Sequence, residues 1–201
     1  GAVRASSAGL AARARQIGKI VLSWPGRQPS SQDMPLVRPD GTYWVTGGLG
    51  ALGLFTAGWL AARGAGHIVL TGRNLPTPVA EKKLAEIRQN GAGVTVEVAD
   101  VSLRDDVERV LGVIRKACPP LRGIIHAAGV LADGVLRHQS WERFETVLRP
   151  KVTGAWNLHQ ATRHLSLDFM VLDSSVAGLL GSPGPAHHCA ANAVMDSRAQ
   201  M

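Results

Sequence analysis

The chain has 201 residues, 45% apolar and 18% charged, which suffices for one domain core plus a remnant but not for two. That composition excludes general disorder, and no apolar run approaches the ~18 residues needed to span a membrane. The 22 Lys and Arg outnumber 15 Asp and Glu, a net charge of +7, yet the arginines are scattered singly without a basic stripe or zinc spacing. Nucleic acid is therefore not the expected partner. The two cysteines, Cys118 and Cys189, lack metal-ligand spacing and read as reduced, buried thiols of a cytoplasmic protein, with no metal site. The start, Gly1-Ala2-Val3-Arg4, has no Met and no signal-like apolar run, and is expected to be the cut end of a longer polypeptide.

Residues 1–15 are rich in Ala, Arg and Ser and predict a helix, followed by a short apolar strand at Lys19-Ile20-Val21-Leu22. Pro25, Pro29, Pro35 and Pro39 then interrupt any regular structure, so 25–40 reads as a linker after a tail of 1–24. From Gly41 the pattern changes. Strands are predicted at Tyr43–Thr46, His67–Thr71, Val94–Val98, Gly123–His126 and Asp168–Asp173. Helices alternate with them at Ala51–Arg63, Val79–Gln89 and Leu103–Ala117, then as a pair over Trp141–Arg163, and last at Ala186–Gln200. Gly64 and Gly91 sit where a left-handed residue would end a helix. Largely apolar strands alternating with amphipathic helices define an α/β fold, a doubly wound parallel sheet. The last helix runs to the chain end, so the domain 41–201 is expected to be incomplete. Trp44, Trp59 and Trp156 are expected in the core with Met170 and Met195, and His67, His138, His159 and His164 at the surface or at the ends of elements.

Four short segments carry the chemistry. Thr46-Gly47-Gly48-Leu49-Gly50-Ala51-Leu52-Gly53 joins the first strand to the first helix. Glycines there allow a tight turn and let backbone N–H groups approach a pyrophosphate at the positive end of the helix. The second strand ends in Thr71-Gly72-Arg73, where an NAD site would carry a carboxylate for the ribose 2′-hydroxyl. A guanidinium suits a 2′-phosphate instead, so NADPH is the expected cofactor. Asp100-Val101 follows the third strand, placed to accept from an adenine amine and to pack on its ring. The small residues Ala127, Ala128 and Gly129 end the fourth strand and leave room for a cofactor.

These motifs occur in order with HAAGVLADG, PKVTGAWNLH, SSVAGLLGSPG and AANA, and the set over 41–201 resembles the ketoreductase domains of modular polyketide synthases. Those belong to the short-chain dehydrogenase/reductase superfamily, with a Rossmann-like sheet. The resemblance implies NADPH-dependent reduction of a β-ketoacyl thioester, held on an acyl carrier protein, to the β-hydroxyacyl form. It assigns the catalytic serine to Ser175 and, in the exchanged arrangement of these ketoreductases, the lysine to Lys151 and the asparagine to Asn192. The family tyrosine, 13 residues after the serine, would fall at position 188, which is His188, flanked by His187 and Cys189. The only tyrosine, Tyr43, precedes the glycine turn and cannot substitute.

In the implied mechanism the tyrosine protonates the alkoxide, its phenol pKa brought down from ~10 by the lysine ammonium. An imidazole beside Lys151 and a cationic nicotinamide is pushed toward its neutral form, which donates a proton poorly. The expectation is a severely slowed ketoreductase, or alternatively a silent, cofactor-binding structural domain of the synthase. Leu131-Ala132-Asp133 resembles the Leu-x-Asp element of the subtype giving the R (D) hydroxyl, and Leu180 stands where the opposite subtype carries tryptophan. Residues 11–22 resemble the closing helix and strand of an enoylreductase, which implies such a domain upstream.

Overall fold

A computed structural model describes residues 36–132, 134, 137, 139–182 and 184–199, all within the compact unit Pro35–Met201. The tail expected over 1–24 and most of the linker lie outside the described residues. Five parallel strands, β1 (Thr42–Thr46), β2 (His67–Gly72), β3 (Gly93–Val98), β4 (Leu121–His126) and β5 (Phe169–Leu172), form one sheet in the order β3-β2-β1-β4-β5. The strand order reverses between β1 and β4, where an open α/β sheet leaves a crevice at its carboxyl edge. The pairing Thr46↔His126 places the ends of both strands at that crevice.

The helices are α1 (Ala51–Ala62), α2 (Pro78–Gln89), α3 (Arg104–Ala117), α4 (Trp141–Leu148), α5 (Gly154–Thr162), α6 (Ala177–Leu180) and α7 (Ala186–Arg198), with a π-helical turn at Arg149–Thr153 between α4 and α5. Alternation along the strands splits the core in two. Tyr43, Val45, Ile68 and Leu70 pack with Leu60 of α1 and with Leu84 and Ile87 of α2. Trp44, Val69 and Ile124 pack with Val107, Val110 and Ile114 of α3 and Leu158 of α5. Each large side chain buried this way stabilises by about 1.5–3 kcal/mol. Trp44 also donates its indole N–H to Thr71 Oγ1 (3.0 Å), which ties β1 to β2 beneath the crevice.

Element boundaries match the sequence reading within two residues except in two places. The helix pair over Trp141–Arg163 is interrupted by the π turn, because Pro150 has no N–H to give the preceding turn. The short α6 was not expected. Gly64 (φ +84°) and Gly91 (φ +89°) end α1 and α2 in the left-handed region, as expected. Trp59 and Trp156, expected in the core, are instead 38% and 40% exposed. Each lies beneath a guanidinium, Arg63 at 4.9 Å and Arg198 at 4.1 Å, an arrangement that favours the rim of a helix surface over its buried stripe. Cys118 and Cys189 are free and half-buried rather than buried. His67 opens β2, an element end as expected, and is half-buried and bonded to Thr95 Oγ1 (2.9 Å). His138 lies outside the described residues.

Candidate active site

The turn after β1 is shaped by backbone contact. Gly47 has φ +66°, and a Cβ there would stand 2.6 Å from the Ala127 carbonyl oxygen, so only glycine fits. The same turn is pinned by the Gly48 amide on Thr71 O (2.9 Å) and the Gly50 amide on Gly47 O (3.0 Å). At Gly53 a side chain would collide with the Gly47 carbonyl and the Gly48 Cα, so α1 can close onto the turn only without one. Gly50 precedes α1 in an extended conformation, and no side chain caps the first amides of the helix.

Seven of the residues expected to hold a cofactor, Thr46, Gly47, Arg73, Asp100, Val101, Ala128 and Gly129, line one cleft across the carboxyl ends of β1–β4. Gly48, Leu49, Gly50, Gly53 and Ala127 support it from behind as part of the turn or of the strand end. The cleft also takes in Thr71, Gly72, Ala99, Val130 and Pro150, which sequence reasoning did not single out. Arg73 is exposed at its rim and forms no ion pair among the described residues. Asp100 is partly committed elsewhere, since its Oδ1 accepts from the Ser102 amide (2.9 Å) and hydroxyl (2.7 Å). The uncapped amides, the glycine cradle and an unpaired guanidinium suit a dinucleotide carrying a 2′-phosphate. A larger cavity, about 370 Å³, opens at the other end of β4 around Leu111, Cys118 and Pro119, and no expected site residue touches it.

Beyond the cleft, Lys151 lies in the π turn rather than in a regular helix, where widened backbone spacing turns its side chain inward. It is 8% exposed, and its Nζ donates to the carbonyl oxygen of Asp173 (2.9 Å). Burial holds its pKa below the ordinary lysine value, and the Asp173 and Asp196 carboxylates partly restore it. Gly129 faces the same side chain, for a Cβ there would sit 3.2 Å from Lys151 Cε. Asn192, fully buried on α7, donates from Nδ2 to the carbonyl oxygen of His188 (2.8 Å). Ser175 is half-buried, and its Oγ accepts from the Ala177 amide (3.2 Å) at the start of α6. Helix α7, which carries His188 and Asn192, packs on the π turn that carries Lys151 and on α6, which starts two residues after Ser175.

His126 is a residue that sequence reasoning treated only as part of a small-residue motif. It is 1% exposed; Nδ1 lies 2.7 Å from Thr46 Oγ1 and Nε2 lies 3.3 Å from the Lys151 carbonyl oxygen. Burial pushes its pKa down to about 4. A carbonyl can only accept, so the neutral ring carries its proton on Nε2 and accepts from the Thr46 hydroxyl at Nδ1. Its chain β1–His126–Lys151 links the glycine turn to the π turn. Asn157 of α5 adds a second tie, donating to the carbonyls of Val101 (3.1 Å) and Ser102 (2.9 Å). The available signal for His126 was its register opposite Thr46 at the end of a parallel strand pair.

A doubly wound parallel sheet with a glycine turn at its switch point is the fold of a short-chain dehydrogenase/reductase. Within that superfamily the KR (ketoreductase) domain model matches residues 41–201. The chain belongs to this family. It is 40% identical over 194 residues to the "Reducing polyketide synthase PKS1" of Cochliobolus heterostrophus, covering 92% of this chain and 8% of that protein. It is 43% identical over 189 residues to the "Phenolphthiocerol synthesis polyketide synthase type I Pks15/1" of Mycobacterium marinum, covering 93% and 9%. The crystal structure of a ketoreductase domain from the bacillaene assembly line superposes with a TM-score of 0.80 at 39% identity, over 86% of this chain and 42% of that one. An A1-type ketoreductase gives 0.80 at 35% identity, over 88% and 37%. The chain thus spans under a tenth of these curated relatives and under half of these solved domains.

Proposed function

We propose that this chain is the cofactor-binding, catalytic part of a polyketide synthase ketoreductase that reduces a β-ketoacyl thioester on an acyl carrier protein to the β-hydroxyacyl form. The observation that carries this reading is the continuous arrangement from the Gly47–Ala127 cradle, past Arg73, to the buried Lys151. When bound, NADPH supplies the hydride. Gly47 to Gly50 and the first amides of α1 would hold its pyrophosphate, Arg73 its 2′-phosphate and Val101 its adenine. Lys151, its ammonium held on the Asp173 carbonyl, would order the nicotinamide end. Ser175 would donate to the substrate oxygen, and Asn192, buried on α7, bonds the His188 carbonyl one turn earlier on the same helix. His188 stands in the proton donor's place. A neutral imidazole there can hydrogen-bond the developing oxyanion but gives up a proton poorly, so turnover is slow.

The domain order implied by the resemblance, an enoylreductase-like domain upstream and a carrier protein delivering the substrate, is part of the same proposal. So is the R (D) hydroxyl expected from Leu131-Ala132-Asp133, of which Asp133 lies outside the described residues. A second reading, a silent cofactor-binding domain, is favoured by one observation alone: His188 in place of tyrosine. NADPH binding and turnover of a β-ketoacyl thioester by the complete ketoreductase domain separate the two. The expected result is binding with weak turnover that rises ~10²–10³-fold in His188→Tyr, the usual worth of one oxyanion-directed donor. Binding with no turnover until His188→Tyr is introduced establishes the silent reading. Absence of NADPH binding refutes both.

A further inference from the structure

Among the described residues Lys151 is the one Lys, Arg, Asp or Glu side chain that is buried. Among the described residues no carboxylate lies within 4.0 Å of its Nζ, and its one bond there is to a main-chain oxygen, that of Asp173. An ammonium has three protons to donate, so two remain available. The residue that supplies the oxygen also carries the complementary deficit, since Asp173 Oδ2 is buried with no hydrogen-bond partner. Asp173 is fixed just past the end of β5 by its amide, which donates to the His126 carbonyl (3.0 Å). The residue whose carbonyl takes the buried ammonium thus also carries a carboxylate oxygen that is buried and has no partner.

We propose that Asp173 is a positioning residue of this site, whose carboxylate is the counter-ion that keeps the buried Lys151 ammonium protonated, a role separate from that of its carbonyl. Burial disfavours the charge on both groups, and each raises the other's tendency to ionise. The other elements around Lys151 contribute less opposite charge. Strand β4 contributes His126, which is neutral, and α7 contributes Asp196, with His187 and His188 two to three turns earlier. Asp196 is therefore the secondary anion. The consequence for function rests on the ketoreductase reading: a lysine held charged by its own counter-ion does not depend on the group at position 188 for its protonation state.

The test is a pH titration of the lysine side chains of the 201-residue chain by ¹³Cε NMR, with Lys151→Met assigning the signal. In Asp173→Asn the proton affinity of Lys151 is expected to fall about tenfold, one pKa unit, with partial recovery in Asp173→Glu and a smaller fall in Asp196→Asn. Coupling is reciprocal, so the Asp173 carboxyl signal in Lys151→Met must move to higher pH by a similar factor. That measurement decides the matter even if Asp173→Asn does not fold. An unchanged Lys151 titration in Asp173→Asn, or an unchanged Asp173 titration in Lys151→Met, overturns the proposal. NADPH affinity of the unmutated chain is measured alongside. Its absence refutes the ketoreductase reading and leaves the counter-ion role of Asp173 standing.

Discussion

Acidification should weaken this domain through His126, and the size of the effect can be worked out. The folded imidazole resists protonation down to about pH 4 because it is buried, whereas an unfolded histidine takes up its proton near 6.5. Between those values the unfolded chain binds more protons than the folded one, so stability rises with pH across the window and is lost as pH falls through it. The gap from 6.5 to about 4, at 1.36 kcal/mol per pH unit, amounts to roughly 3 kcal/mol. That is a large share of the ~5–15 kcal/mol typical of a domain. His126→Gln removes the titration while its amide can still donate to the Lys151 carbonyl and accept from Thr46. Urea unfolding of both proteins, followed by tryptophan fluorescence at steps from pH 7.5 to 4.0, measures the difference. The unmutated chain should lose roughly 3 kcal/mol more than His126→Gln between pH 6.5 and 4. Burial also lowers the pKa of His67 and raises that of Asp173, but both proteins carry these groups, so the comparison cancels them. Parallel loss of stability in the two proteins would refute the assignment of a neutral, buried His126.

The cofactor cradle yields two more expectations. Gly47→Ala should weaken NADPH binding at least tenfold in a fluorescence titration and destabilise the chain by ~1–2 kcal/mol from the left-handed backbone alone, before the clash with Ala127. Unaltered binding would mean that the turn does not hold the pyrophosphate. Arg73→Ala should reduce the preference for NADPH over NADH by ~10–100-fold, the worth of a charge-assisted bond, while affinity for NADH stays within a few-fold. Equal losses for both cofactors would place Arg73 away from the 2′-phosphate.

Sheet and helices were legible because each strand that matters is apolar on both faces. Val45, Ile68 and Leu70 look one way and Trp44 and Val69 the other, and both sets meet helices. The cleft was legible in its glycines, whose small size is itself the structural requirement. What the sequence concealed depends on geometry that residue types do not carry. The inward turn of Lys151 comes from a π-helical register that Pro150 permits, and a periodicity of 3.6 cannot reveal it. Trp59 and Trp156 fit an apolar stripe equally well at its centre or its rim, and only the guanidinium above each ring distinguishes the two. His126 and Asp173 lay inside recognised segments, but their significance comes from neighbours far along the chain: Thr46 across a parallel pair and Lys151 across the π turn.

The same bonds explain how a site can keep its frame while its proton donor changes. Two bonds between separate segments hold the candidate site together, and each ends on a main-chain carbonyl: Lys151 Nζ on Asp173 O and His126 Nε2 on Lys151 O, while Asn192 Nδ2 bonds His188 O within α7. Carbonyl oxygens are present whatever the side chain. Histidine at position 188 therefore leaves the Asn192 bond within α7 intact, and aspartate at position 173 still offers its oxygen to Lys151 while adding a carboxylate of its own. Position in this site is set by the backbone, and proton chemistry by the side chains, so the two can diverge independently. Under the proposed function, a chain can then retain the fold, the cleft and the lysine of its family while the group at position 188 sets the rate.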